Sequence, residues 1–93
     1  MLSLTRRVGE EILFSDSYGP IASLVLTEVK EGYAVAFTFT PVGEATVRHK
    51  AELKDDVALS NGAGVMGSVR VKSTLSDDRA RLAFDFPKEI KLK

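Results

Sequence analysis

Four side chains between positions 33 and 39 restrict the fold of this chain more than any motif does. Tyr33, Val35, Phe37 and Phe39 alternate with Ala34, Ala36, Thr38 and Thr40. Only an extended strand puts residues two apart on one face, so this run reads as a strand with a large apolar front and a small back. Four large side chains on one face need cover, which favours core packing over an exposed platform for stacking bases. Pro41 ends the strand because it cannot donate to a ladder.

Similar segments recur along the chain. Ile12-Leu13-Phe14 is a short strand closed by the turn-prone Ser15-Asp16-Ser17-Tyr18-Gly19-Pro20, and Ile21 to Val29 is a longer one that turns at Lys30-Glu31-Gly32. Glu44 to His49 suits another strand. Lys50 to Leu59 offers the single candidate helix, with Leu53 and Val57 four apart and acidic and basic residues around them. Ser60-Asn61-Gly62-Ala63-Gly64 breaks the pattern. Val69, Val71 and Leu75, and then Leu82, Phe84 and Phe86, resume the alternation on either side of Ser76-Asp77-Asp78, and Ile90 and Leu92 start a last strand. The expectation is an all-β chain, a small sandwich or barrel of about eight short strands with at most one short helix.

The 93 residues suit one domain, 1–93, with a modest core. Thirteen basic and thirteen acidic residues cancel, so attraction to a polyanion has to come from a local patch. Residues 1–56 hold six basic and nine acidic side chains, and residues 57–93 hold seven and four. The basic surface is therefore expected at Arg6, Arg7 and the C-terminal third. Without cysteine there are no disulfides and no thiolate ligands. The apolar runs are too short for a bilayer or a signal segment, which points to a cytoplasmic protein without a membrane role.

The stretch 22–41 is echoed at 69–87, a spacing of about 46 residues if Pro41 is aligned with Pro87. At that spacing the aromatic phases differ by one residue, which suggests a bulge or a longer turn in one copy. Two layouts follow. Residues 1–59 are a complete first unit and 65–93 repeat its last three strands, or 1–16 and 66–93 form the unit and the middle is inserted.

The two ends of the chain carry a resemblance. Met1-Leu2-Ser3-Leu4-Thr5-Arg6-Arg7-Val8-Gly9 and Arg81-Leu82-Ala83-Phe84-Asp85-Phe86-Pro87-Lys88-Glu89-Ile90 resemble the first strand, and the fourth strand with its Pro-Lys-Glu corner, of the carbon storage regulator family. These are small bacterial RNA-binding proteins that form intertwined dimers of five-stranded chains. The resemblance implies binding to mRNA or small regulatory RNA at GGA-containing sites, control of translation or stability by occupancy, a homodimer, and no small-molecule cofactor. It also implies that Leu4, Thr5, Arg6 and Arg7 contact RNA. The family's last strand usually carries a His-Arg pair. Here the chain reads Lys91-Leu92-Lys93, which leaves Lys88, Lys91 and Lys93 as the basic residues of that wall and Arg48, in Arg48-His49-Lys50, as the stand-in for the arginine.

Read without the resemblance, Arg6 or Arg7 pairs with Glu10, Glu11 or Glu89, and the lysines are solubilising charge on an edge strand. Nothing in the sequence spells a nucleophile elbow, a phosphate loop or a metal cluster, so an enzyme is not expected. The alternative function is a protein-interaction module that keeps the fold with RNA binding weak or lost. The zero net charge and the missing arginine favour it.

Overall fold

In the computed structural model, which describes residues 2–93, the chain is all-β. Nine strands, β1 (Leu2–Arg7), β2 (Glu11–Asp16), β3 (Gly19–Lys30), β4 (Ala34–Pro41), β5 (Val47–Glu52), β6 (Asp56–Asn61), β7 (Gly64–Thr74), β8 (Arg79–Asp85) and β9 (Lys91–Leu92), form two antiparallel sheets. Their orders are β1-β8-β7-β6 and β5-β4-β3-β2-β9.

The chain is an internal duplication. The first four strands begin at residues 2, 11, 19 and 34, the next four at 47, 56, 64 and 79, a constant offset of 45. Register follows the same rule: Leu2 faces Phe84 across β1–β8, and Val47 faces Phe39 across β5–β4. Register shifts fall between Phe14 and Ser15 and between Leu59 and Ser60, then between Leu26 and Glu28 and between Val71 and Ser73. Backbone bonds exchange reciprocally. Val8 N donates to Asp78 O at 2.8 Å while Leu53 N donates to Tyr33 O at 2.9 Å, and Gly9 N to Leu26 O at 2.7 Å is matched by Lys54 N to Val71 O at 2.9 Å. Residue i of one half touching j of the other, and the converse, is the mark of an isologous two-fold. Here it relates two halves of one chain, and each half lends its first strand to the other half's sheet.

The spacing of 45 corrects the alignment on the prolines. Phe39 then matches Phe84, in phase, while Pro41 matches Phe86 and Pro87 matches Val42. Both halves hold four strands: β7, β8 and β9 fall 45 residues after β3, β4 and the start of β5, and β5 and β6 fall 45 residues after β1 and β2.

Two further expectations change. No helix forms at 50–59. Instead β5 ends at Glu52, a turn carries Lys54 at φ 70°, and β6 begins at Asp56. Two apolar residues four apart, Leu53 and Val57, are too few to hold a helix against strands that bury Ala51 and Leu59. The strand expected at 44–49 is displaced to Val47–Glu52 for the same reason. Alternation also overreaches at two turns. Tyr33 sits in the β3–β4 turn and is 75% exposed, and Leu75 follows a bulge that throws it out of phase, so it is exposed as well.

The core is built from matching positions. Phe14 and Leu59, Leu24 and Val69, Leu26 and Val71, Phe37 and Leu82, and Phe39 and Phe84 are all buried. Phe14 joins the two sheets, with ring centroids 5.6 Å from Phe39 and 5.8 Å from Phe84, both edge-to-face. No polar or charged side chain is buried among the described residues. Stability therefore rests on apolar burial and the ladders, and the surface is left for recognition.

Candidate nucleic-acid interface

The edge strand β1 is flanked by two different surfaces. Side chains alternate across it, so Arg6 and Arg7 separate. Arg7 and Thr5 stand exposed on the outer face of the four-stranded sheet, directly opposite Arg79 and Arg81 of β8. Cβ atoms so opposed lie about 5 Å apart. Three guanidinium groups thus gather on one patch. Like charges directly opposite destabilise a sheet. None of the three has an acidic partner, since Arg70 with Asp56 is the one ion pair among the described residues. That pair is bidentate, at 2.8 and 2.7 Å. The hydrogen bond from Arg70 holds the Asp56 carboxyl below its ordinary range. Glu10, the carboxylate nearest to Arg7 in sequence, accepts from the Arg7 main-chain N–H at 2.6 Å and leaves the guanidinium free of it. The pairing weighed for Arg7 with Glu10, Glu11 or Glu89 is absent from the described residues.

On the other side of β1, Leu4 is partly buried against the core. Arg6 is half-buried and donates from Nη1 to the carbonyl of Thr5 at 2.8 Å. Beside them the edge of β1 meets the edge of the second sheet. Leu2 lines a groove of about 230 Å³ together with Phe84, Phe86, Pro87, Lys88, Ile90 and Leu92. The corner that closes it is a turn in which Ile90 N donates to Pro87 O. β9 is then anchored to β2 by reciprocal 3.0 Å bonds between Leu13 and Lys93. Ile90 and Leu92 pack against the core, while Lys88, Lys91 and Lys93 are exposed. The chain's own last strand therefore supplies the wall beside its own first strand.

Arg48 does not join this surface. It lies on β5 opposite Thr38, at the other edge of the five-stranded sheet from β9. Four strand spacings, about 19 Å, separate the two edges. At the offset of 45, Arg48 corresponds both to Ser3 of β1 and to Lys93 beyond β9. It lines instead a trough of about 430 Å³ with Glu28, Ala36, Thr38, His49 and Lys50. Ala36, which lines it, stands where the other half has the longer Arg81. His49 occupies the position of Leu4. Its ring stacks on Phe37 at 5.1 Å and 21°, and partial burial pushes its pKa below the ordinary 6.5.

The internal two-fold makes the arginine patch single. Arg7, Arg79 and Arg81 correspond to Glu52, Ala34 and Ala36. Arg79 and Arg81 were missed as site residues because their sequence neighbours are the acidic turn and a core strand. Two arginines at i and i+2 ahead of an apolar alternation were the available signal. Their closeness to Arg7 depends on the β1–β8 register, which spans more than seventy residues.

No family model matches the chain, and no curated protein or solved structure matches it. Function is therefore argued from the site itself.

Proposed function

We propose that this chain binds single-stranded RNA along the β1 edge and regulates the bound message by occupancy. The observation that carries the reading is the trio Arg7, Arg79 and Arg81, three guanidinium groups held in adjacent register with no acidic partner. Phosphate oxygens fit such a patch because each guanidinium presents a rigid fork of donors. Around the edge, Leu2, Phe86 and Leu92 give an apolar floor for an unstacked base, and Lys88 stands at the rim. Lys91 and Lys93 extend the positive charge along β9 as point charges. The resemblance to the carbon storage regulators names the class of target, an mRNA or small regulatory RNA with an exposed GGA loop. The swapped halves give one chain the strands that such regulators obtain from two, so one chain presents one β1–β9 surface.

The test is salt-dependent binding of a GGA-loop hairpin to the wild-type chain and to the triple variant Arg7→Ala, Arg79→Ala, Arg81→Ala. Each lost phosphate contact lowers the log–log slope by roughly 0.7, so about 2 for three. Between 50 and 200 mM salt that is roughly an 18-fold difference in how steeply affinity falls. A triple variant with unchanged slope and affinity refutes the assignment, and a wild-type chain that ignores the hairpin at low salt leaves the protein-interaction module as the better reading.

A further inference from the structure

The two halves differ in one strand. In the first half β2 is covered along its outer edge by β9, with Phe14 facing Leu92 and Ser15 facing Lys91. The equivalent strand β6 pairs with β7 alone and ends its sheet. At the offset of 45 the counterpart of β9 is residues 46–47, but these enter β5, where Val47 pairs with Phe39 of β4. One segment cannot lie on both edges. The reciprocal bonds of Leu13 with Lys93 have no equivalent at Ala58, 45 residues on. Backbone groups alternate in direction along an edge strand, so the N–H and C=O of Ala58 and Ser60 face outward, and both residues are exposed.

The walls of the empty slot are present as well. Val47 and Val42 correspond to Leu2 and Pro87, which stand against Leu92 and Ile90 around one groove. They are among the large apolar side chains left exposed, Val47 at 48% and Val42 at 62%. The rim is acidic. Asp55 stands at the head of β6 beside Asp56, whose charge Arg70 already holds, and Glu44 reaches across to accept from Gly62 N at 2.9 Å. Unpaired backbone, two uncovered valines and an acidic rim describe the place of a missing strand.

We propose that β6 is a docking edge for an extended segment of a partner protein, in which apolar residues alternate with lysine or arginine as they do in Ile90-Lys91-Leu92-Lys93. The partner adds antiparallel to β6 through the outward groups of Ala58 and Ser60. One apolar side chain enters beside Leu59 and Val47, and its basic residues lie along the rim. The proposal stands on the internal two-fold and is independent of RNA binding.

A labelled peptide of residues 87–93, Pro-Lys-Glu-Ile-Lys-Leu-Lys, titrated against the whole chain, tests it. The expected result is binding of one peptide per chain, with slowed amide hydrogen exchange at Ala58 and Ser60 and no change at Leu13. Ala58→Pro removes a donor that faces away from β7, a place where an edge strand tolerates proline. It should weaken binding by about tenfold, the worth of one backbone hydrogen bond, while the thermal transition is kept. Should that variant fail to fold, a peptide with Leu→Lys at its sixth position must fail to bind the wild-type chain. No binding overturns the proposal, as does protection confined to Leu13, which would show exchange of β9 instead. Protection of Ala58 that rises with protein concentration in the absence of peptide also overturns it, in favour of a second copy on this edge.

Discussion

Replacing Phe14 with alanine tests how the two sheets are held together. Its ring is fully buried and touches Phe39 in its own sheet, Phe84 in the other and Phe86 at the corner, with centroids 5.6, 5.8 and 5.0 Å away. Truncating a buried Phe costs about 3–5 kcal/mol. The edge-to-face pairs with Phe39 and Phe84 add cohesion that the surrounding rings cannot recover by collapsing, since both are fixed in ladders. The upper part of that range, about 4–5 kcal/mol, is therefore expected. A domain of 93 residues has about 5–14 kcal/mol in all, so the variant should lose a third or more of its stability. At about 4–8 °C per kcal/mol the midpoint should fall by roughly 20 °C or more. Urea titration followed by far-ultraviolet circular dichroism measures it, with Leu59→Ala at the matching position as the companion at about 2–5 kcal/mol. A loss below about 2 kcal/mol for Phe14→Ala, with unchanged urea dependence, would refute the claim that this ring joins the sheets.

Three other outcomes follow from the two-fold. His49 has a lowered pKa in the folded chain, so its contribution to stability is whole above the unfolded value near 6.5 and shrinks as pH falls below it. His49→Leu, the residue found at the matching position 4, should flatten the dependence of the melting temperature on pH between 7 and 5, and an equally steep variant would contradict this. Lys54 adopts φ 70° where its counterpart Gly9 has φ 91°, so Lys54→Gly should stabilise by about 0.5–1 kcal/mol in thermal or urea unfolding, and a loss would show that the turn is set by the lysine side chain. Light scattering should find one chain of 10.1 kDa at micromolar concentration, because β5 already completes the second half. A stable species of twice that mass would restore the homodimer.

Which residues lie in strands and which face the core was legible in the sequence at Phe37, Phe39, Leu82 and Phe84, because period-two alternation needs only neighbours to be read. It failed at Tyr33 and Leu75, where turns and bulges shift the phase, and at 50–59, where acidic and basic residues around Leu53 and Val57 imitated a helix face. The echo between the halves was visible, but a proline alignment set it one residue off. The separation of Arg6 from Arg7 followed from strand geometry alone. What surrounds them did not. Cross-strand register and the swap of first strands between halves are long-range choices, made when the apolar faces of both sheets close on each other. Only that closure brings Arg79 and Arg81 beside Arg7, sets Leu2 against Leu92, and leaves β6 without the strand that β2 receives.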